Sequence, residues 1–191
     1  HLSKIKIVKH EVNRGYGGNQ KWGYNHAIEK NFDVVVMVHG DAQYPPEQIL
    51  ELINPILTDK ADFVFGSRIA GDPIGGGMPL YKFVANKFLT TTENLVLGTN
   101  LSEFHSGFRA YNVHALKEIP FNKNSDGYHF DSEIIVQLVM AKKRIAEIVI
   151  PTVYGDEKCH VPGINYGLNI LKLLGQYGLH KLDLKTYEKY D

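Results

Sequence analysis

The chain has almost no cysteine. Cys159 is the only one among 191 residues, so no disulfide can close within it and no cluster of thiolates can hold a metal. Long hydrophobic runs are missing too: no stretch approaches the roughly 18 apolar residues of a membrane span, and no signal-peptide pattern is present. These absences lead us to expect a cytoplasmic protein, soluble or peripheral at the cytoplasmic face of a membrane. Net charge is also lacking. Lys plus Arg and Asp plus Glu number 21 each, so no global basic field draws the chain to nucleic acid or anionic lipid. There are no internal repeats or low-complexity linkers, and the length suits one well-cored domain over residues 1–191.

What the chain does have is concentrated in Val34–Glu47, VVVMVHGDAQYPPE. Its opening apolar run, mostly β-branched, predicts a buried strand covered on both faces. Pro45 and Pro46 punctuate a turn, and Pro46 suits the first turn of a following helix, where a missing N–H costs little. Asp41 is left just past the carboxyl end of the strand, where open α/β sheets bind ligands. A carboxylate there can hold a divalent cation that completes its shell with phosphate oxygens, or it can only cap the turn. His39, two residues earlier, falls on the same side of an extended segment. It is either a second ligand or a hydrogen-bonded turn histidine.

Around this segment strand-like and helix-like stretches alternate, the pattern of an α/β fold. Further strands are expected at Ile5–His10, Asp62–Ser67 and Arg144–Val153, the last placed at an edge or a strand end by Pro151. Helices are expected over Gly18–Lys30, over the apolar row of Ile49, Leu52, Ile53, Ile56 and Leu57, and over Leu80–Leu97 and Phe130–Ala141. A last helix carries Ile164, Leu168, Leu171 and Leu174. We read that row as core packing, with a face that docks on a membrane or a second copy of the chain as the alternative. Gly71, Gly75, Gly76 and Gly77 mark a flexible loop. It lacks the Gly-Lys-Ser/Thr ending of a P-loop, and a mobile lid is the reading we adopt.

Taken in order, these segments resemble family-2 glycosyltransferases of the GT-A fold, nearest the dolichyl- and polyprenyl-phosphate sugar transferases. Asp41, Gln43, Pro45, Pro46 and Glu47 match the DADLQxPPE stretch of that branch, with His39 where the first Asp of its DxD motif would stand. NRGYGGNQKWGYNHA (Asn13–Ala27) resembles the family's Asn-x-Gly loop entering a helix, and FVFGSR (Phe63–Arg68) its next strand. SGFRA (Ser106–Ala110) resembles a third block, and FDSEI (Phe130–Ile134) with RIAEIVIP (Arg144–Pro151) the closing helix and strand.

The resemblance implies a Rossmann-like α/β fold, a mostly parallel sheet flanked by helices. It implies inverting transfer of a sugar from a UDP- or GDP-linked nucleotide-sugar donor to a lipid-phosphate or glycan-precursor acceptor. Mg2+ or Mn2+ at Asp41 and His39 would neutralise charge on the departing diphosphate. Asn13, Gly15, Gln43, Arg68, Arg109 and His105 are the residues it brings to the donor and its phosphates, the arginines through a bidentate fork. For an alcohol acceptor Glu133 or Asp131 would take the proton, whereas a lipid phosphate is already anionic and needs no base. Acids are equally favoured in a first helical turn by the macrodipole alone.

Two other readings compete. A nucleotidyltransferase would carry a Gly-rich signature with Arg and Lys near the first strand, which this chain lacks. A degenerate nucleotide-sugar-binding module without catalysis is suggested by His39 in place of Asp. Family members also place a βαβ unit of roughly 30 residues before the Asn13 loop, more than the residues ahead of Glu11 can supply. The expectation is therefore an N-terminally incomplete domain that transfers nothing alone.

Overall fold

The computed structural model describes residues 5–41, 43–153 and 162–191, so Cys159 lies outside the described residues. Along them run α1 (Gly15–Glu29), β1 (Val34–Met37), α2 (Ile49–Leu57), β2 (Phe63–Ser67) and α3 (Leu80–Leu97). Then follow β3 (Arg109–Asn112), α4 (Val113–Lys117), α5 (Phe130–Met140), β4 (Ile145–Val149) and α6 (Gly163–Lys181). The strands form one sheet in the order β1-β3-β2-β4. β2 and β4 pair parallel, and β3 runs antiparallel between β1 and β2. Three strands therefore point the same way, with a reversed strand between them. β3 reads Arg-Ala-Tyr-Asn, so no apolar run marks it in the sequence.

Two expectations about strands are corrected. Ile5–His10 forms no strand: with no neighbouring strand its backbone has no ladder to join. Its side chains reach Trp22 instead, with Lys6 Nζ 5.9 Å and the His10 ring 5.8 Å from the indole. Val34–Met37 is covered on both faces, with Val35 packed on one core cluster and Val34 and Val36 on the other, but it is not the buried strand expected. It is an edge strand with β3 on one side only, and it is half-buried along its length. β4 is the other edge and ends before Pro151, as that proline requires. α3 has the bounds its periodicity predicts and stops at Gly98, whose φ of 70° is the left-handed cap that glycine adopts at little cost.

Alternation along the strands divides the core in two. Phe63, Phe65 and Tyr111 pack on one face with Phe130, Ile134 and Ile135 of α5 and Ile170 and Leu173 of α6. Val64, Ala110 and Phe108 pack on the other with Leu52 and Ile56 of α2. Every residue of α5 from Phe130 to Leu138 is buried, Asp131, Ser132, Glu133 and Gln137 included. Buried polar groups need hydrogen-bond partners, so α5 imposes its demands on whatever packs around it.

The apolar row on α6 is turned mostly away from the core. Ile164, Leu168 and Leu171 are exposed, while Ile170, Leu173, Leu174 and Tyr177 are buried. α3 is similarly inverted: Leu80, Tyr81, Val84, Phe88 and Leu95 face outward, and Thr90 and Glu93 are buried. Polar contacts hold the inner side of α3, with the Thr90 hydroxyl donating to Asn86 and Glu93 3.2 Å from His105. Among the described residues no helix is long and apolar enough to cross a membrane.

The two sides of α2 predict a contrast in stability. Leu52 is 0% exposed and Leu57 64% exposed on the same helix. Leu52→Ala should cost about 2–5 kcal/mol through lost burial and the cavity left behind. Leu57→Ala should stay within about 0.5 kcal/mol. Urea unfolding of the two variants checks this, and equal losses would contradict the assigned face.

Candidate functional site

The chain leaves β1 at Met37 and places His39 and Asp41 in the turn beyond its carboxyl end. Asp41 Oδ1 accepts the backbone N–H of Gln43 at 3.1 Å, and Oδ2 stands 3.9 Å from His39 Nδ1. One carboxylate oxygen thus caps the turn while the other faces the imidazole. Ligand atoms each about 2.1 Å from a shared cation stand about 3.0 Å apart at a right angle and about 3.4 Å at the tetrahedral angle, so this nitrogen–oxygen pair would have to close slightly to share one divalent ion. Among the described residues no set of three or more His, Cys, Asp or Glu gathers as a cation site. The remaining positions would fall to water and phosphate oxygens.

His39 is held on three sides. Its ring lies over Gly107, where a Cβ would occupy the space the imidazole fills. Tyr44 meets the ring edge-on at 5.4 Å and accepts the Gly107 N–H on its hydroxyl at 2.8 Å. Tyr16 meets it edge-on at 5.6 Å, with the phenol oxygen 3.1 Å from Nε2. Burial lowers the His39 pKa below its ordinary 6.5, which keeps the ring neutral near pH 7.

Tyr16 connects this turn to α5. Its O–H donates to Asp131 Oδ2 at 2.6 Å, and Gln20, one turn further along α1, donates to Oδ1 at 2.9 Å. Asp131 is only 5% exposed. Arg109 brings Nη2 to 3.7 Å from Oδ2 and donates through Nη1 to the Asp131 carbonyl at 2.9 Å. Burial, and then the neighbouring Asp131 carboxylate, raise the Tyr16 pKa well above the ordinary phenol value, so the hydroxyl keeps its proton.

The arginines expected at phosphates are engaged by the protein itself. Arg109 is 1% exposed and donates Nε to the Ser106 carbonyl at 2.6 Å and Nη2 to the Phe104 carbonyl at 2.8 Å. It stitches the loop before β3 and ties it to α5. The Arg68 side chain pairs with Glu103 and donates to the His105 carbonyl at 3.2 Å, and its backbone N–H reaches Glu103 Oε2 at 2.9 Å.

Glu133 leaves α5 two residues on, on roughly the opposite side from Asp131. It accepts the Ser125 N–H at 2.7 Å and the Lys189 ammonium at 2.9 Å. His105 lies between α3 and α6, with Nδ1 2.8 Å from the Tyr166 hydroxyl and Nε2 3.2 Å from Glu93. Asn13 accepts the Gly15 N–H at 2.8 Å and shapes the entry to α1, where Gly15 has φ 73°. The structure therefore gathers His39, Asp41, Gln43 and, through Tyr16, Asp131. It sets Glu133 and His105 in separate polar clusters.

Sequence reasoning missed Tyr16, Gln20, Tyr44, Glu103 and Gly107. A signal existed for the first two: Tyr16, Gln20 and Tyr24 recur every fourth residue on a helix that starts three residues before the expected Gly18. A surface cleft of about 450 Å3 opens beside Phe32, Val34 and Leu57, at the start of β1, and none of these site residues lines it.

The model of the family described as "Glycosyl transferase family 2" matches residues 1–120. A UDP-N-acetylglucosamine–dolichyl-phosphate N-acetylglucosaminyltransferase of Methanococcus voltae is 34% identical over 80% of this chain and 61% of its own length. An undecaprenyl-phosphate mannosyltransferase of Micrococcus luteus is 29% identical over 76% of this chain and 60% of its own. The chain thus spans about three-fifths of the length of these relatives. Among solved structures, glucosyl-3-phosphoglycerate synthase from Mycobacterium tuberculosis aligns with TM-score 0.62 and 17% identity, covering 97% of this chain and 59% of that one. A complex of the same enzyme with Mn2+, UDP-glucose and phosphoglyceric acid aligns with TM-score 0.56, 16% identity and coverage of 97% and 59%. At these identities the likeness is one of fold.

The Arg68–Glu103 pair predicts an acid-side stability loss. Burial alone would raise the Glu103 carboxyl, but the Arg68 guanidinium and its hydrogen bonds outweigh burial and hold it below its ordinary 4.5. A depressed carboxylate contributes stability that is full above the unfolded-state pKa and is lost as pH falls through the folded one. Glu103→Gln should cost about 3–5 kcal/mol at pH 7, because it removes one charge of a buried ion pair. Urea unfolding should find that difference shrinking as pH falls below the ordinary 4.5 and through the lower folded-state value. A difference that is constant with pH would contradict the assignment.

Proposed function

The chain belongs to glycosyl transferase family 2, and on that premise we propose that it serves an inverting transferase that moves a sugar from a nucleoside diphosphate to a polyprenyl phosphate. The observation that carries the acceptor assignment is the state of the two helix-start acids. Asp131 has both oxygens engaged by Tyr16 and Gln20, and Glu133 has both engaged by Ser125 and Lys189. Each oxygen keeps a further lone pair, but both acids are buried, at 5% and 2% exposed, and held by protein donors, which argues against either as the base for an alcohol. A phosphate monoester needs no such base, and the dolichyl- and undecaprenyl-phosphate transferases among the relatives support the same acceptor class.

Asp41 and His39 are the residues we assign to Mg2+ or Mn2+, a reading supported by their 3.9 Å approach and by the Mn2+ and UDP-glucose of the structural neighbour. A bound divalent ion would supply Lewis-acid stabilisation of the departing diphosphate. The chain's own part is positional. Gln43 and the turn proline Pro46 set the Asp41 carboxylate at the strand end, and Gly107 lets His39 lie close to the loop before β3. Arg109 holds that loop rigid from beneath, so that what approaches it meets backbone in one conformation. The acceptor is membrane-borne, and the outward apolar rows of α3 and α6 are the faces we assign to the lipid surface.

In the full-length protein, Asp41→Asn should weaken Mn2+-dependent UDP binding at least tenfold, roughly 1.4 kcal/mol, as isothermal titration with and without Mn2+ would measure. Unchanged metal-dependent binding would defeat the site. With a UDP-sugar donor, radiolabel should pass to a polyprenyl phosphate and not to the polyprenol of the same length. Glu133→Gln should then lower turnover by less than about tenfold, where loss of a true base costs roughly 10²-fold or more. Transfer to the polyprenol would overturn the acceptor class.

A further inference from the structure

The Tyr16 hydroxyl is shared between Asp131 and His39, one member of the cation pair, and the sharing is unequal. It stands 2.6 Å from Asp131 Oδ2 and 3.1 Å from His39 Nε2. A phenol has one proton to donate. The shorter, charge-assisted contact takes it, because a carboxylate facing Arg109 can only accept. The Tyr16 oxygen is then an acceptor toward His39, and the nitrogen it faces must carry the hydrogen. A neutral imidazole has one N–H and one bare lone pair, and the hydrogen bond made by one nitrogen selects the other. With hydrogen on Nε2, the lone pair falls on Nδ1, the atom that faces Asp41 Oδ2 at 3.9 Å. The opposite tautomer would aim an N–H at the Asp41 carboxylate and close the pair to any cation.

We propose that Tyr16 and Asp131 are positioning residues that hold His39 as its Nε2–H tautomer and so present Nδ1, together with Asp41, as a mixed nitrogen–oxygen ligand pair for a divalent ion. This rests on the cation reading given above and adds the source of its geometry. Gln20 and Arg109 complete the arrangement by occupying the remaining faces of Asp131, so that its Oδ2 has Tyr16 as its hydrogen-bond donor. Chains of this kind, from carboxylate to hydroxyl to imidazole to metal, orient a ligand and raise its basicity. They also explain how a histidine can stand at the head of this turn without being an inert substitute for a carboxylate. An imidazole ligand favours manganese and later first-row ions over magnesium, so this chain's preference among cations follows from His39 being correctly protonated.

The test reads the tautomer and the metal separately, in the full chain without nucleotide. Long-range proton–nitrogen NMR of the metal-free protein should find His39 protonated on Nε2, and a ring protonated on Nδ1 would overturn the proposal with no variant required. Tyr16→Phe keeps the ring that packs on His39 and Tyr128 and removes only the hydroxyl. Its affinity for Mn2+ alone, followed by the resonance of the free ion, should fall about tenfold, and its His39 signal should shift toward mixed tautomers while the melting temperature confirms folding. Unchanged Mn2+ affinity and an unchanged tautomer in Tyr16→Phe would overturn the positioning role and leave the cation site standing if His39→Ala and Asp41→Asn still lose Mn2+. Mn2+ affinity indifferent to His39→Ala and Asp41→Asn would remove the site itself and the inference with it.

Discussion

The organising constraint is a carboxylate that the fold buries at the start of a buried helix. Asp131 is 5% exposed, and an isolated charge in such a place is far too costly to persist. Each of its neighbours answers that cost. α1 sends Tyr16 and Gln20, one turn apart, to its two oxygens. β3 sends Arg109, whose guanidinium faces the carboxylate and whose other donors close on the carbonyls of the preceding loop. Once those partners are in place, the separation of α1 from α5 and the path of the loop into β3 have little freedom left. The turn after β1 is built on that frame, since His39 rests between Tyr16, Tyr44 and Gly107.

This arrangement separates two tasks that the residue types alone do not distinguish. Arginine and glutamate are the groups that bind phosphate and move protons, and they are also the groups that hold a loop in place. Arg109 and Arg68 spend donors on backbone carbonyls and on Glu103. Glu133 joins Ser125 to Lys189 near the end of the chain. The groups left facing the turn are His39 and Asp41, with the polar framework behind them. The outward face of α3 follows the same logic: the polar contacts of Thr90 and Glu93 occupy part of its inner side, and apolar residues such as Val84 and Phe88 lie outside.

Much of the fold was legible before any coordinates. The bounds of α3, the turn at Pro45 and Pro46, the stretch of β2 and the end of β4 before Pro151 all come from features that act over a few residues. β3 was not legible, because a four-residue strand with Arg109 and Asn112 at its ends shows neither an apolar run nor an alternation. Ile5–His10 has strand composition and no strand, since a strand exists only with a partner beside it. The row of Ile164, Leu168 and Leu171 has helical spacing, but spacing says that the residues share a face and not which way that face points.

By itself the sequence determined most of the helices, the class of fold, the family, and the placement of His39 and Asp41 at the end of a strand. These rest on patterns between near neighbours, where backbone geometry couples one residue to the next. Tertiary structure alone decided what each polar side chain meets. Tyr16 and Asp131 lie 115 residues apart and His39 lies 23 residues from Tyr16, distances over which periodicity carries no information. Whether an acid is a base, a ligand or a brace depends on which donors reach its two oxygens, and that is settled by packing around α5.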